Sequence, residues 1–345
     1  MAKLAIRQNV SLAAFSTLKV GGRAQYLVVV KNVDELQQAV EHARTHALPF
    51  LCVGGGSNLL FDDAGYLGLV IVIRISGRTY DLEPDGTVLA GLGAGEVFDE
   101  VVADTVSRGW WGLENLSHIP GTVGATPVQN VGAYGVEMSD IITAVEVFDT
   151  NKMESRTLTP AECQFGYRDS IFKTKAGKNL IVTHVQCRLT TKSQPQVGYV
   201  DLVDLGAQAG QLTSAQVREA VVAVRARKFP DWTKVGTAGS FFTNPIITNA
   251  QAKELQVRYP DLPVYKVSSS HSKIALGYVL DKVCRLKGYR LGEVMLSPAQ
   301  ALVLIAYEGA TASEILTFSD EIAKRVYKET GLNITREVTY VAPKN

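Results

Sequence analysis

Glycine stands three times in a row at positions 54–56, directly after the apolar run Pro49-Phe50-Leu51-Cys52-Val53. Ser57 and Asn58 follow, then Leu59-Leu60-Phe61. An apolar run that ends in glycine reads as a buried strand entering a tight loop. Glycines let the backbone take positive φ and come close to another group. Successive N–H groups in such a loop form a concavity that suits an anion, most often a phosphate. A plain strand-to-loop turn with no ligand explains the same residues equally well. No Gly-Lys-Ser/Thr is present, and Leu59 stands where a dinucleotide fingerprint has its third glycine. The loop is therefore judged with the rest of the chain.

Two more glycine clusters follow within the first 135 residues. Gly91-Leu92-Gly93-Ala94-Gly95 opens a helix whose face is Val97, Val101 and Thr105. His118–Gly135 carries four glycines and two prolines with few charges. That stretch is too apolar for a flexible linker and too glycine-rich for a regular element, and a long ordered loop in a compact domain is usually functional.

The remaining elements are set out by caps and patterns. A strand over Gln25–Val30, a helix capped by Asn32 and Glu35, and the strand before the glycine loop give β-α-β. Leu67–Ile75 is β-rich, and Asp85-Gly86 turns a hairpin into Thr87–Ala90. A second hairpin joins 143–148 to 154–158, and Leu180–Leu189 is a strand. Thr213 with Gln216 caps a helix that ends near Lys228-Phe229-Pro230-Asp231, the clearest domain boundary. Helical regions are expected over 268–287 and 297–307. Thr311 with Glu314 caps a last helix ending at Gly331. Residues 333–341 are β-like.

Composition excludes several classes. Over 345 residues, 35 Lys and Arg face 34 Asp and Glu with no basic stripe, so no nucleic-acid partner is expected. The apolar runs fall far short of the roughly 20 residues a membrane-spanning helix needs, so no membrane association is expected. The four cysteines are isolated, which argues against zinc or a disulfide framework and fits a reducing cytoplasm. No metal is expected, and His42 with His46 reads as a solvated helix face.

Six segments in order carry a resemblance: G-G-G-S-N-L-L (54–60), I-P-G-T-V-G-A (119–125), Q-N-V-G-A-Y-G (129–135), F-G-Y-R-D-S (165–170), A-G-S-F-F-T-N-P (238–245) and R-E-V (336–338). Together they resemble the bacterial UDP-N-acetylenolpyruvoylglucosamine reductases, from Thr17 to Glu337. Gln196-Val197-Gly198-Tyr199 is similar to the tyrosine loop of the type I subgroup. Ser16-Thr17-Leu18 departs mildly from the family's usual N-T-F/L.

The resemblance implies an α+β chain. Its two-subdomain FAD-binding fold would be of the vanillyl-alcohol-oxidase (PCMH) type, over 1–76 and 77–228. A smaller α+β substrate-binding domain would cover 229–331, and a C-terminal strand, 332–345, would return to the active site. It implies bound FAD, NADPH as hydride donor, a UDP-sugar substrate and a monomer. The reaction implied is hydride transfer to the enolpyruvyl group followed by protonation. Ser240 would be the proton donor, with Arg168 and Glu337 as the other catalytic residues.

The cofactor would lie on three segments. These are Gly54, Gly55, Gly56, Ser57, Asn58 and Leu59; then Ile119, Pro120, Gly121, Thr122, Gly124 and Ala125; then Gln129, Asn130, Gly132, Ala133 and Tyr134. The nucleotide sugar would meet Tyr167, Tyr199, Arg225, Lys228, Asn244, Lys287 and Gln300. Two other readings stay open: a flavin oxidoreductase of the same fold with another substrate, and a nucleotide-sugar binding module without catalysis.

Overall fold

The computed structural model describes residues 4–343, the side chains of 207–209 excepted. Its first sheet has the order Arg7–Ser11, Arg23–Val30, Tyr66–Ile73, Phe50–Val53. The last three strands are parallel, and Arg7–Ser11 adds an antiparallel edge. Tyr66–Ile73 is buried at all but one position, as a central parallel strand is when both its faces are covered. The helix Val33–Thr45 makes the crossover. Asn32 accepts the Glu35 amide at 2.8 Å, and Leu36, Ala39, Val40 and Ala43 form the buried face.

A five-stranded antiparallel sheet follows, ordered Glu154–Leu158, Ile142–Asp149, Leu180–Thr190, Thr87–Gly93, Arg78–Leu82. It shares one hydrophobic core with the first sheet, running from Val28 and Leu36 through Val101 to Val145 and Val185. The helix Ser214–Lys228 has the expected capping box between Thr213 and Gln216 and packs a smaller cluster with Trp111 and Tyr134.

From Gly236 onward the chain builds a second large core. One sheet is ordered Gly236–Ser240, Val303–Ala306, Val294–Leu296, Arg290–Leu291, and a three-stranded sheet is centred on His271–Ile274. The helix Ala312–Thr330 packs on this core through Ile315, Phe318, Ile322 and Val326. It ends at Gly331 in the left-handed region, with φ 74°.

One expected helix is not there and another is much shortened. Residues 297–307 hold a turn and the strand Val303–Ala306, all four residues of which are buried. A short apolar run looks the same in a buried strand and in a buried helix, and here β-branched residues between two partner strands decide it. Residues 268–287 begin as the strand His271–Ile274 and become helical only from Leu276, ending in a π turn over Val279–Val283. In the last β-like stretch only Thr339–Val341 is a strand. It pairs in parallel with Leu59–Phe61, directly after the glycine loop.

That pairing is one of several ties between the two large cores. The Thr237 amide donates to the Thr17 carbonyl at 2.9 Å. The Asp63 carboxylate accepts from the amides of Ala312 and Ser313 at 2.8 and 2.9 Å. Asp63 thus adds a second, charged cap to a helix already capped by Thr311, where the helix dipole favours a negative charge. Removing a cap acceptor costs on the order of 1 kcal/mol. Asp63→Ala is therefore expected to lower the melting temperature by about 2–4 °C while leaving the sites on the far side of the core intact. Differential scanning calorimetry checks this; an unchanged transition would mean that Thr311 alone suffices.

Candidate active site

Between the two cores lies a cleft of about 340 Å³. Beside it the third glycine-rich segment, 118–135, meets the first and the second. A Cβ placed on Gly55 would lie 2.6 Å from the Gly121 Cα, and one on Gly124 would lie 2.6 Å from the Ala94 Cβ. Gly56, with φ 64°, passes over the Phe15 carbonyl. Gly54 abuts the Thr122 hydroxyl, and its carbonyl accepts from Arg74 Nη1 at 3.0 Å. The sequence reading gave these glycines to a ligand. In the structure their missing side chains also make room for the protein's own atoms, which lets the loops touch.

The residues that do line the cleft on this side are Ser57, Asn58, Ile119, Pro120, Gly121, Thr122, Ala125, Gln129, Gly132, Ala133 and Tyr134. Thr122 is 4% exposed, and its Oγ1 is buried without a hydrogen-bond partner. A buried polar atom left this way costs free energy unless something pairs with it. Two expected cofactor residues face elsewhere. Leu59 belongs to the short strand, and its carbonyl accepts from Ser16 Oγ at 2.8 Å. Asn130 is 1% exposed and spends its amide on Glu137, Gly166 and Ser139. It pins the loop from behind, which its place in a glycine-rich segment did not reveal.

The opposite wall brings together residues from four distant segments. Arg168 Nε lies 3.1 Å from Glu337 Oε1, and Arg168 Nη2 donates to the Gly132 carbonyl at 2.8 Å. Arg168 has φ 54°, an uncommon backbone for a non-glycine residue. Its carbonyl is held by Lys173 Nζ at 2.6 Å. Glu337 Oε1 also accepts from Gln129 Nε2 at 3.1 Å, and its backbone carbonyl accepts from Asn58 Nδ2 at 3.1 Å. Ser240 lines the same cleft. It ends the strand Gly236–Ser240 just past a register shift, with Gly239 at φ 72°. Thr237 Oγ1 holds that bulge by accepting from Gly239 and donating to Leu304. Bulges of this kind re-aim a side chain out of the ladder.

Further along the cleft, Tyr167, Tyr199, Arg225, Lys228, Asn244 and Gln300 are all in the lining. Arg225 is 8% exposed, donates to the His118 carbonyl at 3.0 Å and covers the Phe229 ring at 4.5 Å. Burial lowers its pKa, with Tyr134 acting the other way, yet a guanidinium stays charged at neutral pH. Desolvation, then Asp201, raises the Tyr199 phenol above its ordinary value, so it remains a donor. Asn244 Nδ2 reaches the Tyr167 hydroxyl at 3.3 Å.

Lys287 is the exception. It is absent from the lining, exposed, and 3.5 Å from Asp281 Oδ2. Among the residues not expected from the sequence, two charged ones stand out. Asp201 lines the cleft and pairs with Lys228 at 2.5 Å; its place two residues after Tyr199 was the available signal. The Lys273 ammonium stands 4.6 Å from the Tyr167 ring centre, and nothing in the local sequence marks it.

Residues 24–153 match the FAD binding domain family, and residues 231–341 match the family described as UDP-N-acetylenolpyruvoylglucosamine reductase, C-terminal domain. The UDP-N-acetylenolpyruvoylglucosamine reductase of Chromobacterium violaceum is 38% identical over 337 residues, covering 97% of this chain and 98% of that protein. The Bacteroides fragilis reductase is 37% identical over 336 residues, covering 97% of this chain and all of that protein. The crystal structure of the Thermus caldophilus enzyme superposes with a TM-score of 0.68 at 27% identity, covering 99% of each chain. The fold is thus α+β, a PCMH-type FAD-binding fold joined to a smaller α+β domain. The chain belongs to the UDP-N-acetylenolpyruvoylglucosamine reductase family.

Proposed function

We infer that this chain reduces the enolpyruvyl ether of UDP-N-acetylglucosamine enolpyruvate to the lactyl ether of UDP-N-acetylmuramate, a step in peptidoglycan precursor synthesis. It is an FAD-containing oxidoreductase with NADPH as the hydride donor. The observation that carries the assignment of roles is the convergence of Arg168, Glu337 and Ser240 on one cleft. The match of residues 231–341 to the reductase C-terminal family disfavours a flavoenzyme with another substrate.

The glycine-walled side of the cleft suits FAD. The unpaired Thr122 hydroxyl and the two touching loops supply polar atoms and close backbone where a flat, phosphate-bearing group needs them. We assign Ser57, Asn58, Gly121, Thr122, Gln129 and Tyr134 to hold it. When bound, FAD carries the hydride from NADPH to the nucleotide.

The chain's own residues manage the charge and the proton. Hydride arriving at the terminal enolpyruvyl carbon drives negative charge toward the neighbouring carbon and its carboxylate. Arg168 offers that carboxylate a planar, permanently charged fork, and Glu337 and Gly132 fix its orientation beforehand. A donor fixed in place spares reorganisation as the charge develops. Ser240 gives its hydroxyl proton to the carbon next to the carboxylate, and water in the cleft replaces it. The added hydride and proton together balance the reduced double bond. Tyr199, Arg225, Lys228, Asn244 and Gln300 are assigned to the diphosphate and uridine. Lys287 joins them only by leaving Asp281. The four cysteines are free thiols, which suits a reducing cytoplasm.

The nucleotide assignment is tested through Tyr199→Phe, which removes one donor. A hydrogen bond to a charged group is worth about 1.5–3 kcal/mol, so the nucleotide is expected to bind roughly 10- to 100-fold more weakly. Reduction by NADPH is expected to change less. Titration of the oxidised flavin spectrum reads the affinity, and an unaltered value removes Tyr199 from the diphosphate site.

A further inference from the structure

Glu337 sits in the middle of the short segment Arg336-Glu337-Val338, whose three side chains go to different places. Glu337 enters the cleft toward Arg168, while Val338 packs into the second large core. Arg336 turns to the helix Ala312–Thr330 and makes three bonds there. Its Nε donates to Ser319 Oγ at 2.7 Å, and its Nη2 donates to the Leu316 carbonyl at 3.2 Å and to Asp320 Oδ1 at 2.5 Å.

Ser319 is the telling partner. It is 1% exposed on a helix face otherwise made of Ala312, Ile315, Phe318, Ile322 and Val326. A buried hydroxyl there is tolerated because it accepts from Arg336 and donates to the Leu316 carbonyl at 2.8 Å. The helix that receives Arg336 is itself fastened to the first sheet's side by Asp63. Backbone bonds flank the segment as well: the Glu337 amide donates to Phe241 at 2.8 Å and the Thr339 amide to Asn58 at 3.0 Å. Those bonds fix where the main chain runs. The guanidinium fork one residue away sets how far it can slide or twist, and so where the Glu337 carboxylate stands relative to Arg168 and Gln129.

We propose that Arg336, seated on Ser319 and Asp320, is a positioning residue that holds the Glu337 carboxylate against Arg168. The proposal rests on the reading of Glu337 given above. Arg336 touches neither substrate nor cofactor and acts only through its neighbour in sequence. A lysine can reach the same helix but lacks the fork, so it rescues in part.

The test compares Arg336→Ala, Arg336→Lys, Ser319→Ala, Glu337→Gln and the double variant Arg336→Ala/Glu337→Gln, all as holoenzyme. Arg336→Ala is expected to keep its flavin and its rate of reduction by NADPH. Its reoxidation by the enolpyruvyl nucleotide is expected to slow about tenfold, the size of coupling typical of contacting residues. Ser319→Ala, one oxygen smaller, and Arg336→Lys are expected to lie between it and the wild type. The double variant is expected to be no slower than Glu337→Gln alone, because a residue that acts through Glu337 has nothing left to position. Hydrogen exchange, which needs no turnover, is expected to rise in the peptide spanning 335–340 of Arg336→Ala and not elsewhere. A wild-type reoxidation rate in Arg336→Ala, with Glu337→Gln slow, overturns the proposal alone. An equal slowing by Arg336→Ala in both backgrounds, or of both half-reactions, overturns it too. Wild-type reoxidation in Glu337→Gln overturns the role given to Glu337 and the proposal with it.

Discussion

Ser240→Ala is expected to keep its FAD and near-normal reduction by NADPH, while reoxidation by the enolpyruvyl nucleotide slows by at least about two orders of magnitude. Reduction by NADPH leaves no carbanion at this wall of the cleft and needs no acid there. Reduction of the enolpyruvyl group does. A general acid contributes about 10²–10⁴-fold, or roughly 3–5 kcal/mol of barrier. The variant removes one oxygen from the end of a strand whose bulge is held by Thr237 and Leu304 rather than by Ser240 itself. Misfolding is therefore a weak confounder. Stopped-flow absorbance follows each half-reaction alone. Equal slowing of both would make Ser240 a positioning group, and no slowing of either would move the proton source elsewhere.

Gly55→Val is expected to lower the occupancy of the flavin site. A Cβ at Gly55 meets only backbone: the Gly121 Cα at 2.6 Å, its carbonyl carbon at 3.0 Å and the Thr122 amide nitrogen at 3.3 Å. None of these is the movable end of a side chain, so the two loops must separate. Overpacking of this kind costs about 1–3 kcal/mol. Placed on the cofactor site, that is roughly 5- to 150-fold in affinity. Gly54→Ala is the milder companion, since its nearest neighbour is the rotatable Thr122 hydroxyl. The ratio of flavin to protein absorbance after purification reads both. A fully yellow Gly55→Val protein would place the cofactor away from this loop contact.

The sequence carried the fold where the signal is local. Asn32 with Glu35, Thr213 with Gln216, and Thr311 with Glu314 each marked a helix start, because a cap is chemistry between residues three apart. It failed where partners are distant. Val303–Ala306 is a strand because Gly236–Ser240 and Val294–Leu296 flank it, and its four apolar residues carry no period that says so. Arg7–Ser11 went unread because an exposed edge strand has almost no apolar alternation. The site shows the same split. The motif residues named for the cleft mostly line it. Asn130 and Leu59 share those motifs but serve the loop's own structure, a division of labour that only packing displays. Lys273, more than a hundred residues from Tyr167, could be placed beside it only by the fold.

The most direct measurement is anaerobic mixing of NADPH-reduced holoenzyme with UDP-N-acetylglucosamine enolpyruvate, followed by flavin absorbance and product mass. The expected result is a rapid return of the oxidised flavin spectrum and a nucleotide heavier by two hydrogens, with deuterium on the carbon next to the carboxylate when the reaction is run in heavy water. Flavin that stays reduced with the nucleotide present, or recovers at the same rate without it, would contradict the assignment.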